Sequence, residues 1–282
     1  MHYNEKLAAA VNISGSVLCL GLDPVPESLP EELGSQSSTP VERIAEFCKK
    51  TIELTSPYVA AYKLNTAYFE ALGPPGFELL SHLTDHIPDH VVTIADAKRG
   101  DVPHTGRKYK EAFFDQLQFD AITLSPLMGR DTLLPFLEDY RKACYILTLT
   151  SNSGASDFFM QRLQNGKTLS EEIAGSLNRL ADDVQGQPGM VIGATQIRDA
   201  DPVCGCFPES HTLMPGIGAQ QGSREDVINL INKHRLKALV PISRGIIEAH
   251  KQSDHSWTEA IVSATRTYNH DYREPTHWHE QT

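Results

Sequence analysis

The segment Asp96-Ala97-Lys98-Arg99-Gly100-Asp101 ends the apolar run Val91-Val92-Thr93-Ile94-Ala95 with two carboxylates and an ammonium. An ammonium flanked by carboxylates is kept charged at neutral pH. It can stabilise negative charge that develops beside it and then give up its proton as a general acid. Side chains alternate along a strand, so Asp96 and Lys98 are expected on the same face. Charges gathered where a strand leaves the core need partners or a task, and a structural ion-pair network is the competing explanation. Lys63, in Tyr62-Lys63-Leu64-Asn65, is a second lysine at the end of the preceding apolar run. A purely structural network seldom needs lysines on two adjacent strands facing one mouth, so the catalytic reading is favoured.

Two further segments suit an anion. Pro215-Gly216-Ile217-Gly218-Ala219-Gln220-Gln221-Gly222 is glycine-rich, and Ser243-Arg244-Gly245 ends another apolar run. Glycines let backbone N–H groups approach an anion closely, and arginine offers a permanently charged fork for phosphate oxygens. Either segment alone is weak evidence. Asp23, before Pro24, is a common turn former as well as a candidate site residue. Cys204 and Cys206 with His211, and the tail histidines His277 and His279, lack the ligand count of a zinc site. No dinucleotide fingerprint, nucleophile elbow or His-Glu-x-x-His helix is present.

Candidate strands fall at 17–22, 58–63, 91–96, 121–125, 144–150, 190–194, 212–215 and 238–243. Amphipathic helical patterns lie at 40–55, 105–117, 169–184, 224–234 and 257–268. Near-continuous apolar strands alternating with helices predict a parallel sheet covered on both faces. Eight such units in 282 residues fit an α/β fold of the (β/α)8 TIM-barrel type, with a doubly wound sheet as the alternative. We expect one barrel domain over 1–282, with a helical extension at about 1–15 and a polar tail at about 273–282. Long loops are expected at 24–39 and 151–168. In a barrel the polar strand ends, including Thr150-Ser151-Asn152, gather at one mouth, and phosphate commonly binds beside strands seven and eight.

The 36 acidic and 25 basic residues give a net charge of −11. That field disfavours nucleic acid and anionic membranes as partners, while one arginine and a few amides still suffice for a small phosphorylated ligand. No signal sequence and no apolar run of membrane-spanning length is read. The five cysteines are irregularly spaced, as for reduced thiols in a cytoplasmic protein.

On the Asp-Ala-Lys-Arg-Gly-Asp, Pro-Gly-Ile-Gly-Ala-Gln and Ser-Arg-Gly segments, taken in that order, the chain resembles the orotidine 5′-phosphate decarboxylases, more closely the bacterial branch with long insertions. The resemblance runs from about Val17 to Ile247. It implies a homodimeric barrel that converts orotidine 5′-monophosphate to uridine 5′-monophosphate and CO2, in pyrimidine biosynthesis, without metal or organic cofactor. It assigns Lys63, Asp96, Lys98 and Asp101 to the catalytic array, with Asp101 acting in the neighbouring subunit's site. Asp23 would hold the ribose, assisted by Thr105 from the partner chain, and Ser151 would read the pyrimidine edge. Gln220 and Arg244, with Gly245, would bind the phosphate. Gln221 and Ser153 depart from the usual glycine and proline. The first bears on lid conformation, and neither touches the charged array.

Magnesium-dependent sugar-phosphate decarboxylases and hexulose-phosphate synthases share the Asp-x-Lys-x-x-Asp spacing. They are expected to place a metal-binding carboxylate where Lys63 stands, and a cation is a poor magnesium ligand. A non-catalytic phosphate-ligand sensor is the alternative from another class; binding alone has no need of the full charged set.

Overall fold

The computed structural model describes residues 1–33, 38–217 and 223–273. Eight strands, β1 (Leu18–Leu22), β2 (Ala61–Asn65), β3 (Val92–Arg99), β4 (Ala121–Leu124), β5 (Ala143–Leu149), β6 (Gln187–Ile192), β7 (His211–Leu213) and β8 (Lys237–Ile242), form a closed barrel in chain order. Every neighbouring pair is parallel, including β1 with β8. This is the expected (β/α)8 architecture. The apolar strands are buried on both faces because helices cover their outer side.

The helices are α1 (Tyr3–Ser14), α2 (Pro40–Thr55), α3 (Thr66–Glu70), α4 (Pro74–His86), α5 (Pro103–Lys110), α6 (Ala155–Phe158), α7 (Leu169–Ala181), α8 (Ile197–Cys206), α9 (Arg224–His234), α10 (Arg244–Ile247) and α11 (Trp257–Asp271). Their starts are written locally. Thr39 with Glu42, Thr168 with Glu171 and Ser256 with Glu259 form reciprocal capping boxes at α2, α7 and α11. Proline opens α2, α4 and α5, where a missing N–H costs nothing.

The N-terminal helix packs against the bottom of the barrel. Tyr3 Oη meets Tyr145 Oη at 2.9 Å, His211 Nε2 donates to Asn4 Oδ1 at 2.6 Å, and Lys6 Nζ reaches Asp120 Oδ2 at 2.7 Å. Asp120 also accepts from the Thr93 amide at 2.8 Å, so α1 is tied to β3, β5 and β7.

Several boundaries differ from the sequence expectation. Proline fixes the backbone of Ser56–Tyr58 as a short 3₁₀ turn, so β2 starts at Ala61 rather than 58. The β3 strand runs on to Arg99, three residues past the expected end. The helix expected at 105–117 starts earlier, at Pro103, and widens into a π-helical turn over Glu111–Gln116. The 151–168 segment is not featureless: it carries α6 and a narrow loop in which Arg162 bridges Thr168.

Candidate active site

The barrel register brings Lys63 and Asp96 together. Gly21 on β1 pairs with Lys63 on β2, and Asn65 on β2 pairs with Asp96 on β3. Residues two apart share a face, so Gly21, Lys63 and Asp96 all lie on the inner face near the C-terminal mouth. Lys63 Nζ donates to Asp96 Oδ2 at 2.8 Å and lies 3.8 Å from Asp23 Oδ1. Lys98 Nζ donates to the other Asp96 oxygen, Oδ1, at 2.5 Å.

The two lysines differ in setting. Lys63 is only 6% exposed. Burial opposes its charge, but the carboxylates of Asp96 and Asp23 outweigh that and raise its pKa above the ordinary lysine value. Burial would likewise push Asp96 up, yet Lys63 and Lys98 together hold its carboxyl well below the usual range. The Lys98 side chain is 49% exposed, free to meet a ligand in the cavity. Beneath the array lies the Cys19 thiol, pushed up to about 12 mainly by burial and therefore neutral.

Lys98 reaches the mouth by a route that simple alternation does not describe. Its φ is +48°, in the left-handed region that non-glycine residues seldom occupy. The pairing of β3 with β4 jumps from Ala95 opposite Ile122 to Arg99 opposite Leu124. Thus β3 advances four residues while β4 advances two, and the surplus forms a bulge in β3. Thr123 sits across the bulge. Its Oγ1 accepts from the Lys98 amide at 2.9 Å and donates to Asp96 Oδ1 at 3.1 Å.

The array opens on a cavity of about 710 Å³ lined by Asp23, Lys63, Asp96, Lys98, Thr123 and Ser151, with Asp157, Phe158 and Phe159 on one wall. A smaller cavity of about 190 Å³ shares Asp23, Lys63 and Ser151 and adds Tyr68, Ser243, Arg244 and Gly245. The mouth therefore joins the charged array to Arg244, which opens α10 just after β8. Ser151 is held from the short 3₁₀ turn Ala194–Gln196 that follows β6: Thr195 Oγ1 donates to its carbonyl at 2.7 Å. Gly193 permits that approach, since a Cβ there would stand 2.6 Å from the Ser151 backbone. Asp23 Oδ1 and Ser243 Oγ are buried at this junction with no hydrogen-bond partner among the described residues.

Asp101 and Thr105 are not among the residues lining either cavity of their own chain. Asp101 Oδ1 accepts from the Val102 amide at 2.7 Å, and Val102 is exposed. Gln220 and Gln221 lie outside the described residues, as do His277 and His279. The Cys204 and Cys206 thiols sit on α8, away from the mouth, while His211 faces Asn4 at the opposite end of the barrel.

Thr123 and the Phe158–Phe159 wall were not singled out from the sequence. Nothing in a lone threonine within an apolar run marks it as a partner of two site residues. Arg99, inside the recognised segment, also has work of its own. It bonds Glu70 and the Ala97 carbonyl, and its guanidinium stacks 5.3 Å from the Tyr109 ring and 5.4 Å from the Phe113 ring. It thus ties β3 to the end of α3 and to the helix that follows Asp101.

A closed parallel barrel with a lysine–aspartate–lysine array at its C-terminal mouth defines the class: a (β/α)8-barrel protein with its charged site at the strand ends. Residues 16–256 match the model of the orotidine 5′-phosphate decarboxylase / HUMPS family, and the chain belongs to that family. It is 38% identical over 278 residues to a Dehalococcoides mccartyi protein named orotidine 5′-phosphate decarboxylase, covering 96% of this chain and 98% of the relative. A Herpetosiphon aurantiacus protein of the same name is 39% identical over 266 residues, covering 94% and 96%. Among solved structures, the Leishmania donovani OMP decarboxylase superposes with a TM-score of 0.79 at 29% identity, covering 96% of this chain and 98% of that one.

Proposed function

We propose that this protein decarboxylates orotidine 5′-monophosphate to uridine 5′-monophosphate and CO2. The observation that carries the reading is the lysine at the end of β2, bonded to Asp96 at 2.8 Å. It stands where the metal-dependent relatives are expected to carry a carboxylate, and it already occupies one Asp96 oxygen. Neither feature suits a magnesium site.

The reaction breaks the bond between C6 of the pyrimidine and its carboxylate carbon. The electron pair stays on C6 in an sp² orbital that the ring π-system cannot delocalise, so stabilisation must come from fixed charge. Lys98, exposed to the cavity, supplies that charge and then donates its proton to C6. Asp96 faces the departing carboxylate and orients Lys98, while Lys63 anchors Asp96. Asp23, with an unpartnered oxygen at the junction of the cavities, accepts from the ribose hydroxyls. Ser151 reads the pyrimidine edge. Arg244, with Gly245 and Gln220, takes the phosphate far from C6, so that remote binding energy assembles the charged site.

A homodimer completes this reading. Asp101 and Thr105 precede or open α5 beside exposed Val102, and Leu127, Met128 and Leu134 are exposed apolar residues on the adjoining connection after β4. A C2 interface over this face would deliver Asp101 and Thr105 to the partner's mouth. Free cysteines throughout the chain support a cytoplasmic setting. Among the described residues, no helix is long and apolar enough to cross a membrane.

The test is the fall in ultraviolet absorbance of orotidine 5′-monophosphate with the purified chain, with and without EDTA. Turnover that survives the chelator supports the reading. Absence of turnover, or turnover only with magnesium, defeats it.

A further inference from the structure

From the bulge in β3 we infer that Thr123 is a positioning residue for the reaction, the side chain that holds Lys98 and Asp96 in their working geometry. The inference rests on the proposed decarboxylation and deepens it.

The β3–β4 ladder loses its register between Ala95 and Arg99 and resumes only where the Ser125 amide donates to the Arg99 carbonyl at 2.8 Å. Within the gap the Lys98 N–H has no strand carbonyl opposite it, and a backbone donor left unpaired beside the core is unfavourable. The Thr123 hydroxyl replaces the missing acceptor at 2.9 Å. An amide can only donate, so the single hydroxyl proton is left for Asp96 Oδ1, 3.1 Å away. The direction of both bonds is therefore fixed.

The consequence falls on two groups at once. The bond to the amide supports the left-handed backbone of Lys98 at φ +48°, which sterics alone disfavour and the surroundings must impose. The bond to Asp96 fixes the rotation of the carboxylate whose same oxygen receives Lys98 Nζ. Thr123 is 1% exposed and held by the β4 strand, so the tie is rigid. It reaches the ammonium only through these two neighbours.

Thr123→Val keeps the β-branched shape and removes both bonds; Thr123→Ser keeps the hydroxyl. For Thr123→Val the expected result is a fall in kcat of roughly 10- to 100-fold, the scale of losing hydrogen bonds to a charged site. KM should move less than about threefold, since the phosphate pocket is untouched, and Thr123→Ser should recover kcat to within about threefold of the parent. A Thr123→Val enzyme with near-normal kcat overturns the inference, as does a serine variant that loses as much as valine. If valine fails to fold, Thr123→Ala against Thr123→Ser makes the same comparison.

A crystal structure of Thr123→Val gives a readout independent of turnover: Lys98 should leave the left-handed region or the Asp96 carboxylate should rotate. Unchanged geometry overturns the inference. If the parent protein does not decarboxylate orotidine 5′-monophosphate, the functional reading falls, and the crystal comparison still decides the positioning role.

Discussion

Replacing Lys98 with alanine separates catalysis from folding more cleanly than any other change at this site. The side chain is half exposed, and its removal leaves Asp96 bonded to Lys63 at 2.8 Å and to Thr123 at 3.1 Å. No buried charge is orphaned, so the stability cost is that of an exposed ion pair, about 0–1 kcal/mol. On the proposed mechanism the catalytic cost is far larger. A positioned general acid contributes ~10²–10⁴-fold and one preorganised charge ~10²–10³-fold, or together roughly 5–10 kcal/mol of barrier. Such contributions are not additive, so we take ~10⁴-fold as the least loss expected. The assay follows substrate absorbance with concentrated variant, alongside calorimetric titration with uridine 5′-monophosphate and a melting curve. Lys98→Ala should bind the nucleotide and melt within a few degrees of the parent while turnover vanishes. Lys98→Gly should be equally inactive and melt no lower than alanine, because φ +48° carries no Cβ penalty for glycine. Turnover by Lys98→Ala within about tenfold of the parent would refute the proton-donor role.

Arg244→Ala, which empties the smaller cavity of its guanidinium, should raise KM and lower kcat/KM by ~10²-fold or more, with added phosphite or phosphate as the probe of the vacated pocket. If Asp101 serves the partner's site, mixing inactive Asp101→Asn and Lys98→Ala chains should restore about a quarter of parental activity, since half the dimers would be mixed with one intact site each; no recovery after verified subunit exchange argues against the split. His211 is buried and pushed down to about 3, chiefly by burial and secondarily by Lys237. The unfolded chain takes up this proton near pH 6.5 and the folded chain refuses it, so stability should fall by up to about 1.4 kcal/mol per pH unit from 6.5 towards 3. Urea midpoints for the parent and His211→Gln between pH 7 and 4.5 test this, the variant being expected to show the shallower slope.

The barrel was legible because its strands are apolar runs of the right length, as in Ala143–Leu149, spaced by helices whose caps are spelled out, as in Thr168 and Glu171. Boundaries slipped where local chemistry overrode hydropathy: Pro57 bends the chain before β2, and the β3 bulge extends that strand to Arg99. The charged array was legible because residue type and strand-end position both mark it. Alternation placed Asp96 and Lys98 on the same side, and they do meet, but through a left-handed residue that a regular strand lacks. Thr123 stayed hidden for the same reason. Its importance arises from a register jump between two strands, and no spacing within one strand encodes that.

The structure also divides labour between two lysines that look alike in sequence. Lys63 is buried and shared between Asp96 and Asp23, so its charge belongs to the fold of the mouth. Lys98 is half exposed with Asp96 as its carboxylate partner, so its charge is available to a ligand. Between them three donors hold Asp96: Oδ2 receives Lys63, and Oδ1 receives both Lys98 and Thr123. On the proposed reaction, an arriving substrate carboxylate meets an aspartate that three donors hold in place and whose depressed pKa resists protonation. Neither rotation nor proton uptake by Asp96 can then relieve the repulsion. Relief comes as CO2 departs and Lys98 transfers its attention from Asp96 to C6, the step at which negative charge appears where the ammonium already stands. The arrangement does require that Asp96 stay ionised, and the two lysines hold its carboxyl well below the usual range.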